Sequence, residues 1–328
     1  MNPSESEKLS YYQTRPTDSR PMVLLPFYDD GEFKIPFTVR DKIVLLKADA
    51  AYSGSYIAQA QLDPGIDIYL PLLDLLVQRV ISPHLIYLIQ TVVGDVINFG
   101  AAIEKYRLIL HNERDKLGAT TLIATELEFL FQNVRSLYDQ LQKIIKVIWD
   151  QTSITEPGIK KQALPFKSFG DVILFGQEDQ IRSVDEIMGK YGLPIPIATF
   201  YNEQGAFFRL CREIRNDIAH YGGKIFSRQP IFPLDDGFAV KVSGRPYSDF
   251  DFWNRTEIRN GDLGSVLALI SYIINRTISA TTNYVIALVS CVQLPEPIGP
   301  DWHVFIRHPL LNHLHRLDQY ILESWIIV

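Results

Sequence analysis

Residues 84–111 read HLIYLIQTVVGDVINFGAAIEKYRLILH, and the spacing of their apolar positions decides the expected fold class. Leu85, Ile89, Val92, Val96, Phe99, Ile103, Tyr106 and Leu110 recur in steps of four and three, which lines one face of a long helix. Beyond the polar stretch HNERDKLGATT, the residues Ile123, Leu127, Leu130, Val134, Leu137, Leu141, Ile144 and Ile148 repeat the pattern. Two such helices on a short link predict antiparallel packing at the shallow angle of a bundle; a coiled coil between chains is the other arrangement with this spacing. Phe207, Cys211, Ile214, Ile218 and Tyr221 form a third stripe, and an apolar run from Leu263 to Val292 supplies a fourth helix. The expectation is a mainly α protein: a four-helix bundle over 84–115, 119–150, 200–222 and 262–292, with an N-terminal β-hairpin element and inserted loops or a hairpin.

The remaining segments divide around that core. Residues 1–20 read as a loosely held arm without the apolar centre of a signal peptide. Residues 21–83 hold an extended element and a leading helix: MVLLPF, the turn signal Asp29-Asp30-Gly31, FKIPFTV and KIVLLKA, with Pro26 and Pro36 favouring sheet edges. No Gly-rich phosphate loop follows any of these strands, which argues against a mononucleotide-binding sheet. The bundle region 84–292 carries insertions at about 151–199, with a short helix near Ser183 to Lys190, and at 223–261, where FAVKV alternates like a hairpin strand. The extension 293–328 combines a strand-like WHVFI with a periodic Leu311, Leu314, Leu317 and Ile321. Its His303, His308, His313 and His315 lack the carboxylate and spacing of a helical metal motif, so solvated or capping histidines are expected, with no metal and no cofactor.

Composition narrows the classes further. With 47% hydrophobic and 21% charged residues the 328-residue chain is ordinary globular material. A net charge of −6 excludes a broad basic field, so contact with nucleic acid must be local. Cys211 and Cys291 stand alone, which points away from a disulfide framework or a paired-Cys zinc site and toward a reducing, cytoplasmic setting. The runs Leu85 to Val93 and Leu263 to Ile274 are broken by polar residues or by Arg276 before reaching the length of a span, so no membrane partner is expected.

One peptide is chosen for chemistry: Arg215-Asn216-Asp217-Ile218-Ala219-His220, followed by Tyr221-Gly222-Gly223. A guanidinium can clamp a phosphate and stabilise charge on it, and imidazole exchanges protons near neutral pH. The plainer reading is a helix end, with His220 capping the last carbonyls and the glycines stopping the helix. Opposite the apolar stripe lie Arg209, Arg212, Asn216 and His220; Asn216 and His220 are one turn apart, whereas Arg215 is roughly 140° around from His220. Both can reach one phosphate if the last turn distorts near Gly222, or if a dimer completes the pair from two chains.

This peptide, at the end of the third helix of an expected bundle, resembles the signature of the HEPN superfamily, an Arg followed after four to six residues by a His. The resemblance covers about His84 to Val292. Gly222 stands where some members carry a Tyr, and Tyr221 comes one position earlier. The resemblance implies a metal-independent endoribonuclease of toxin–antitoxin or antiviral defence systems, commonly a homodimer with a composite site, with RNA as substrate and an antitoxin or defence protein as partner. Carried onto this sequence, it implies Arg215, His220 and Asn216 as catalytic residues, with Arg212, Arg209 and Tyr221 as substrate-binding candidates. The 2′-hydroxyl would attack the phosphate to leave a cyclic phosphate. The alternative is a non-catalytic HEPN-like scaffold in which the same helix end binds a partner.

Overall fold

A computed structural model of the protein describes residues 10–12, 25–39, 42–48, 53–80, 85–114, 116–155, 160–176, 179–221 and 230–325. The first strands are β1 (Ser10–Tyr12), β2 (Phe27–Asp29), β3 (Glu32–Val39), β4 (Lys42–Ala48), β5 (Gly54–Ala58) and β6 (Asp67–Tyr69). After α1 (Pro71–Leu75) and a π turn (Leu76–Val80) come the two long helices α2 (Ile86–Glu113) and α3 (Ala119–Gln151). Then follow β7 (Thr152–Ser153), α4 (Gly170–Ile173), β8 (Leu174–Phe175), β9 (Gln180–Ile181), α5 (Val184–Tyr191) and α6 (Ile195–Tyr221). The last third contains β10 (Phe232–Leu234), β11 (Gly237–Lys241), β12 (Leu263–Ser265), α7 (Val266–Cys291), β13 (Val292–Gln293), β14 (His303–Arg307) and α8 (Leu317–Leu322).

The expected HEPN-like four-helix bundle, with an N-terminal β-hairpin element and inserted loops or hairpin, is overturned by a six-stranded mixed sheet in the order β4-β3-β2-β5-β14-β6. The hairpin β2–β3 forms where the sequence signals it, because Asp30 and Gly31 both take positive φ, the geometry of a tight two-residue turn. The sheet does not end there. β2 pairs parallel with β5, and β14, whose Arg307 lies 240 positions after Asp67 of β6, inserts antiparallel between β5 and β6. Short strands far apart in sequence carry no local signal of their partners, so this pairing is a tertiary result. Pro36 sits within β3 all the same, because the register with β2 stops at Lys34 and β3 faces only β4 beyond it.

Most of the expected N-terminal arm lies outside the described residues, but Ser10–Tyr12 forms β1, between β7 and β13, in a three-stranded sheet.

The chain divides into two compact units, and the division cuts all four long helices. Unit one is 1–94, 139–206 and 280–311; unit two is 95–138, 207–279 and 312–328. The divisions 1–20, 21–83, 84–292 and 293–328 read from the sequence do not coincide with these units, because contacts between distant segments define them.

In unit one the sheet core is Phe33, Tyr56, Ala58 and Phe305. Beside it Asp67, fully buried, faces Arg307 directly across β6 and β14. Arg307 Nε donates to Asp67 Oδ1 at 2.6 Å and Nη2 to Oδ2 at 2.7 Å, while Tyr56 Oη and the Asp63 amide also donate to Oδ2. Burial alone would raise the Asp67 pKa; the Arg307, Tyr56 and Asp63 hydrogen bonds more than reverse it and hold the carboxyl below its usual value. The helical part of unit one packs Phe200 and Tyr201 of α6 against Phe169 and Tyr284, and Tyr201 donates to buried Gln142 of α3 at 2.7 Å. The expected short helix is α5. Ser183 and Glu186 close a capping box at its start, and Gly192 ends it at φ 69°, where a Cβ would lie 2.6 Å from the Lys160 carbonyl oxygen.

In unit two, Tyr138 of α3 sits against Phe207 and Phe208 of α6, and Phe207 meets Tyr272 of α7. Asn133 Nδ2 donates to the Asp95 carbonyl at 2.8 Å, joining α3 to α2 inside the core. The expected hairpin after the third helix is the three-stranded sheet β10-β11-β12. The C-terminal extension is integral: Asn275 donates to Asp318 of α8, Ser265 Oγ donates to the Ser324 carbonyl, and Leu317, Tyr320 and Ile321 are buried. Among the described residues, only α2 is long and apolar enough to cross a membrane by length and composition, and half of that stretch is buried within the protein.

Two stability outcomes follow from the buried acids. Arg307→Met leaves the Asp67 carboxylate buried without its ion pair and should destabilise unit one by about 3–5 kcal/mol in urea unfolding. Asp95 is 7% exposed, and its Oδ2 has no hydrogen-bond partner. Burial pushes its carboxyl up to about 6, against a hydrogen bond with Ser136 that pulls it down. The folded state therefore holds the proton longer than the unfolded chain, so stability should fall as pH rises from about 4 to about 6. Asp95→Asn should remove this slope and raise stability near neutral pH by roughly 3 kcal/mol in pH-dependent denaturant titrations; an unchanged slope would assign the effect elsewhere.

Candidate functional site

The Arg–His peptide occupies the last two turns of α6, which remains helical through Tyr221. Phe207, Phe208, Cys211 and Ile214 are buried, so the stripe read from the sequence packs inward as far as Ile214. That burial fixes the rotation of the helix. Arg209, Arg212, Arg215 and Asn216 are half-buried at its flank, with the exposed Glu213 among them. The side chains of 217–221 lie outside the described residues, as does Gly222, so His220 and Tyr221 are placed here by backbone alone.

The described side chains are already engaged. Arg215 Nη1 donates to Asn216 Oδ1 at 3.5 Å, the long limit of a hydrogen bond, which turns the Asn216 carbonyl oxygen toward the guanidinium. Arg209 lies 3.7 Å from Glu213 one turn on, which offsets part of its charge, and Arg212 makes contacts of its own. Of the predicted site residues the structure thus brings Arg215 and Asn216 together. The unbroken helix keeps the His220 Cα roughly 140° around the axis from Arg215, so the two do not share a face.

Behind this helix lies a residue that sequence reasoning passed over as a functional group. Arg276 of α7 places its guanidinium 5.6 Å from the Phe207 ring centroid, and its Nε is buried without a hydrogen-bond partner. Burial raises the Cys211 thiol far above its usual value, and the Arg276 charge acts against it. Tyr138 and Tyr272 are likewise raised, first by burial, and Tyr272 Oη also donates to Asp251 Oδ1 at 2.6 Å. The signal was present in the sequence as the lone cation within the apolar run Val266–Cys291.

The C-terminal histidines disperse. His308 Nδ1 accepts from the Leu310 amide, as a turn cap. His313 departs from the solvated or capping role expected for it: it is buried, with Nε2 2.8 Å from Glu104 Oε2 and Nδ1 3.3 Å from Tyr320 Oη. Burial lowers its pKa more than Glu104 raises it. Among the described residues, no three His, Cys, Asp or Glu side chains converge as a metal site would require.

Compared with protein-family models, curated proteins and solved structures, the chain matches none.

Both cysteines are buried and their thiols are held up by desolvation, Cys291 to about 12. Neither is a competent nucleophile. Ellman's reagent at mildly alkaline pH should therefore detect no fast-reacting thiol in the native protein and two after denaturation; a rapid native reaction would show that one of the thiols is accessible and overturn this reading.

Proposed function

We propose that the protein is a metal-independent endoribonuclease whose reacting groups are Arg215 and His220, with Asn216 orienting them. The observation carrying this reading is the location of the peptide. One face of α6 is buried through Ile214, while Arg215 and Asn216 remain half-exposed beside each other in the turns that also carry His220. The peptide's likeness to the HEPN signature supports the chemistry through the residues Arg215, Asn216 and His220 alone, since the helical bundle that was part of the likeness is replaced by a fold with a six-stranded sheet.

In the proposed reaction the 2′-oxygen attacks phosphorus as its proton passes to an imidazole, and the P–O5′ bond breaks as a proton reaches the leaving oxygen. The products are a 2′,3′-cyclic phosphate and a 5′-hydroxyl. Arg215 stabilises charge on the pentacoordinate phosphorus. Because the helix turns His220 away from Arg215, the working pair comes from two chains, His220 of one protomer acting with Arg215 of its partner across a homodimer. A cytoplasmic toxin or antiviral role, with an antitoxin or defence protein as regulator, fits such an activity. Arg212 serves as a phosphate ligand, and Arg209 and Tyr221 make lesser RNA contacts.

A non-catalytic scaffold is favoured by one specific observation: Arg215 and Arg209 already have protein partners. Activity decides between the readings. His220→Ala and Arg215→Ala should each lower cleavage of single-stranded RNA by about 10²–10⁴-fold in EDTA, with circular dichroism unchanged, and Arg212→Ala should mainly raise KM. The matching DNA strand should survive. Full activity in His220→Ala, a metal requirement, or an RNase-active monomer by light scattering would overturn the composite nuclease site.

A further inference from the structure

Within unit one, a cavity of about 350 Å³ opens between the segment from β6 to the π turn and the end of α7. Its lining has two characters. Leu75, Val285 and Val289 make an apolar wall, and Asp74 and Arg79 place opposite charges on the same pocket. Five residues apart, these two would stand roughly 140° around a regular α-helix; the π turn Leu76–Val80, with its wider i to i+5 pitch, brings them to one side. Buried Gln78 anchors that turn by donating to the Trp302 carbonyl at 2.8 Å and accepting from the Gly299 amide at 3.1 Å.

Asp74 and Arg79 do not neutralise each other. Asp74 Oδ1 accepts from the Val304 amide at 3.1 Å and Oδ2 from Tyr69 Oη at 3.3 Å, which fixes the carboxylate's orientation. Arg79 Nη1 donates to the Pro295 carbonyl at 3.0 Å, leaving its other guanidinium donors for another acceptor. His303 Nδ1, buried and without a hydrogen-bond partner, stands 3.8 Å from Asp74 Oδ2, beyond hydrogen-bond reach. A fixed anion, a fixed cation and an apolar wall in one pocket complement a molecule carrying the reverse charges on a small apolar body. The geometry points to a binding site for a free α-amino acid with an aliphatic side chain: its carboxylate on Arg79, its ammonium on Asp74, its side chain against Val285 and Val289. The volume falls in the range of about 300–1,000 Å³ usual for small-molecule sites. This site shares no residue with the Arg215–His220 peptide and stands or falls independently of it.

Isothermal titration calorimetry of the full chain with L-leucine tests the assignment. L-Leucine should bind saturably at one site per chain. 4-Methylpentanoate, which lacks the ammonium, and isoamylamine, which lacks the carboxylate, should each bind at least about tenfold more weakly, the loss of one charged contact. Arg79→Gln and Asp74→Asn should each weaken L-leucine by a similar factor. Val289→Glu, at a position 53% exposed and so without a packing role, should also abolish binding while leaving the fold intact. Absence of saturable binding by L-leucine, L-valine and L-methionine, equal affinity for 4-methylpentanoate, or unchanged affinity in both charge variants would overturn the proposal.

Discussion

The cross-strand pair Asp67–Arg307 joins residues 240 positions apart and closes the sheet on which unit one depends. A fully buried carboxylate is tolerable only because a bidentate guanidinium, a tyrosine hydroxyl and backbone amides satisfy it together. The arrangement holds β14 between β5 and the edge strand β6 and ties Arg307 to β6 and the Tyr56 core. Within β14, the Val304 amide also holds Asp74, so one strand both joins the sheet and orients the acid of the unit-one pocket.

Unit two is governed by a different constraint, the burial of polar groups within its core. Asn133, Asp95 and His313 are all buried, and each meets its partners through the packing of α2, α3 and the C-terminal segment. Asp95 Oδ2 and Arg276 Nε are left unmatched there. Arg276 matters for the candidate site because it lies against Phe207, two turns before Arg215 on α6, and gives the interior behind that helix a cation.

The candidate site was legible in one dimension. The residue types Arg215, Asn216 and His220 are what motivate the phosphodiester proposal, and the stripe Phe207, Cys211, Ile214, Ile218 and Tyr221 predicts which way the helix turns, as the burial of Phe207, Cys211 and Ile214 shows for its first part. The contacts of Arg209 with Glu213 and of Arg215 with Asn216 are local consequences of helical spacing. Arg276 escaped the reading because a lone arginine in an apolar run carries no information about which helix it will face. The Asp74–Arg79 pocket escaped it because a separation of five points away from a shared face unless a π turn intervenes.

By itself the sequence determined the long helices, since periods of three and four report which side of each helix leaves water whatever it packs against. It also determined the Asp30-Gly31 hairpin turn and the capped α5, whose signals span only a few residues. Tertiary structure alone decided that the N-terminal strands belong to a six-stranded sheet, that β14 inserts between β5 and β6, and that each long helix is shared between two compact units. Strands of three to eight residues encode an alternation of faces but not the identity of a neighbour, and that choice is made only when distant segments bury their side chains together.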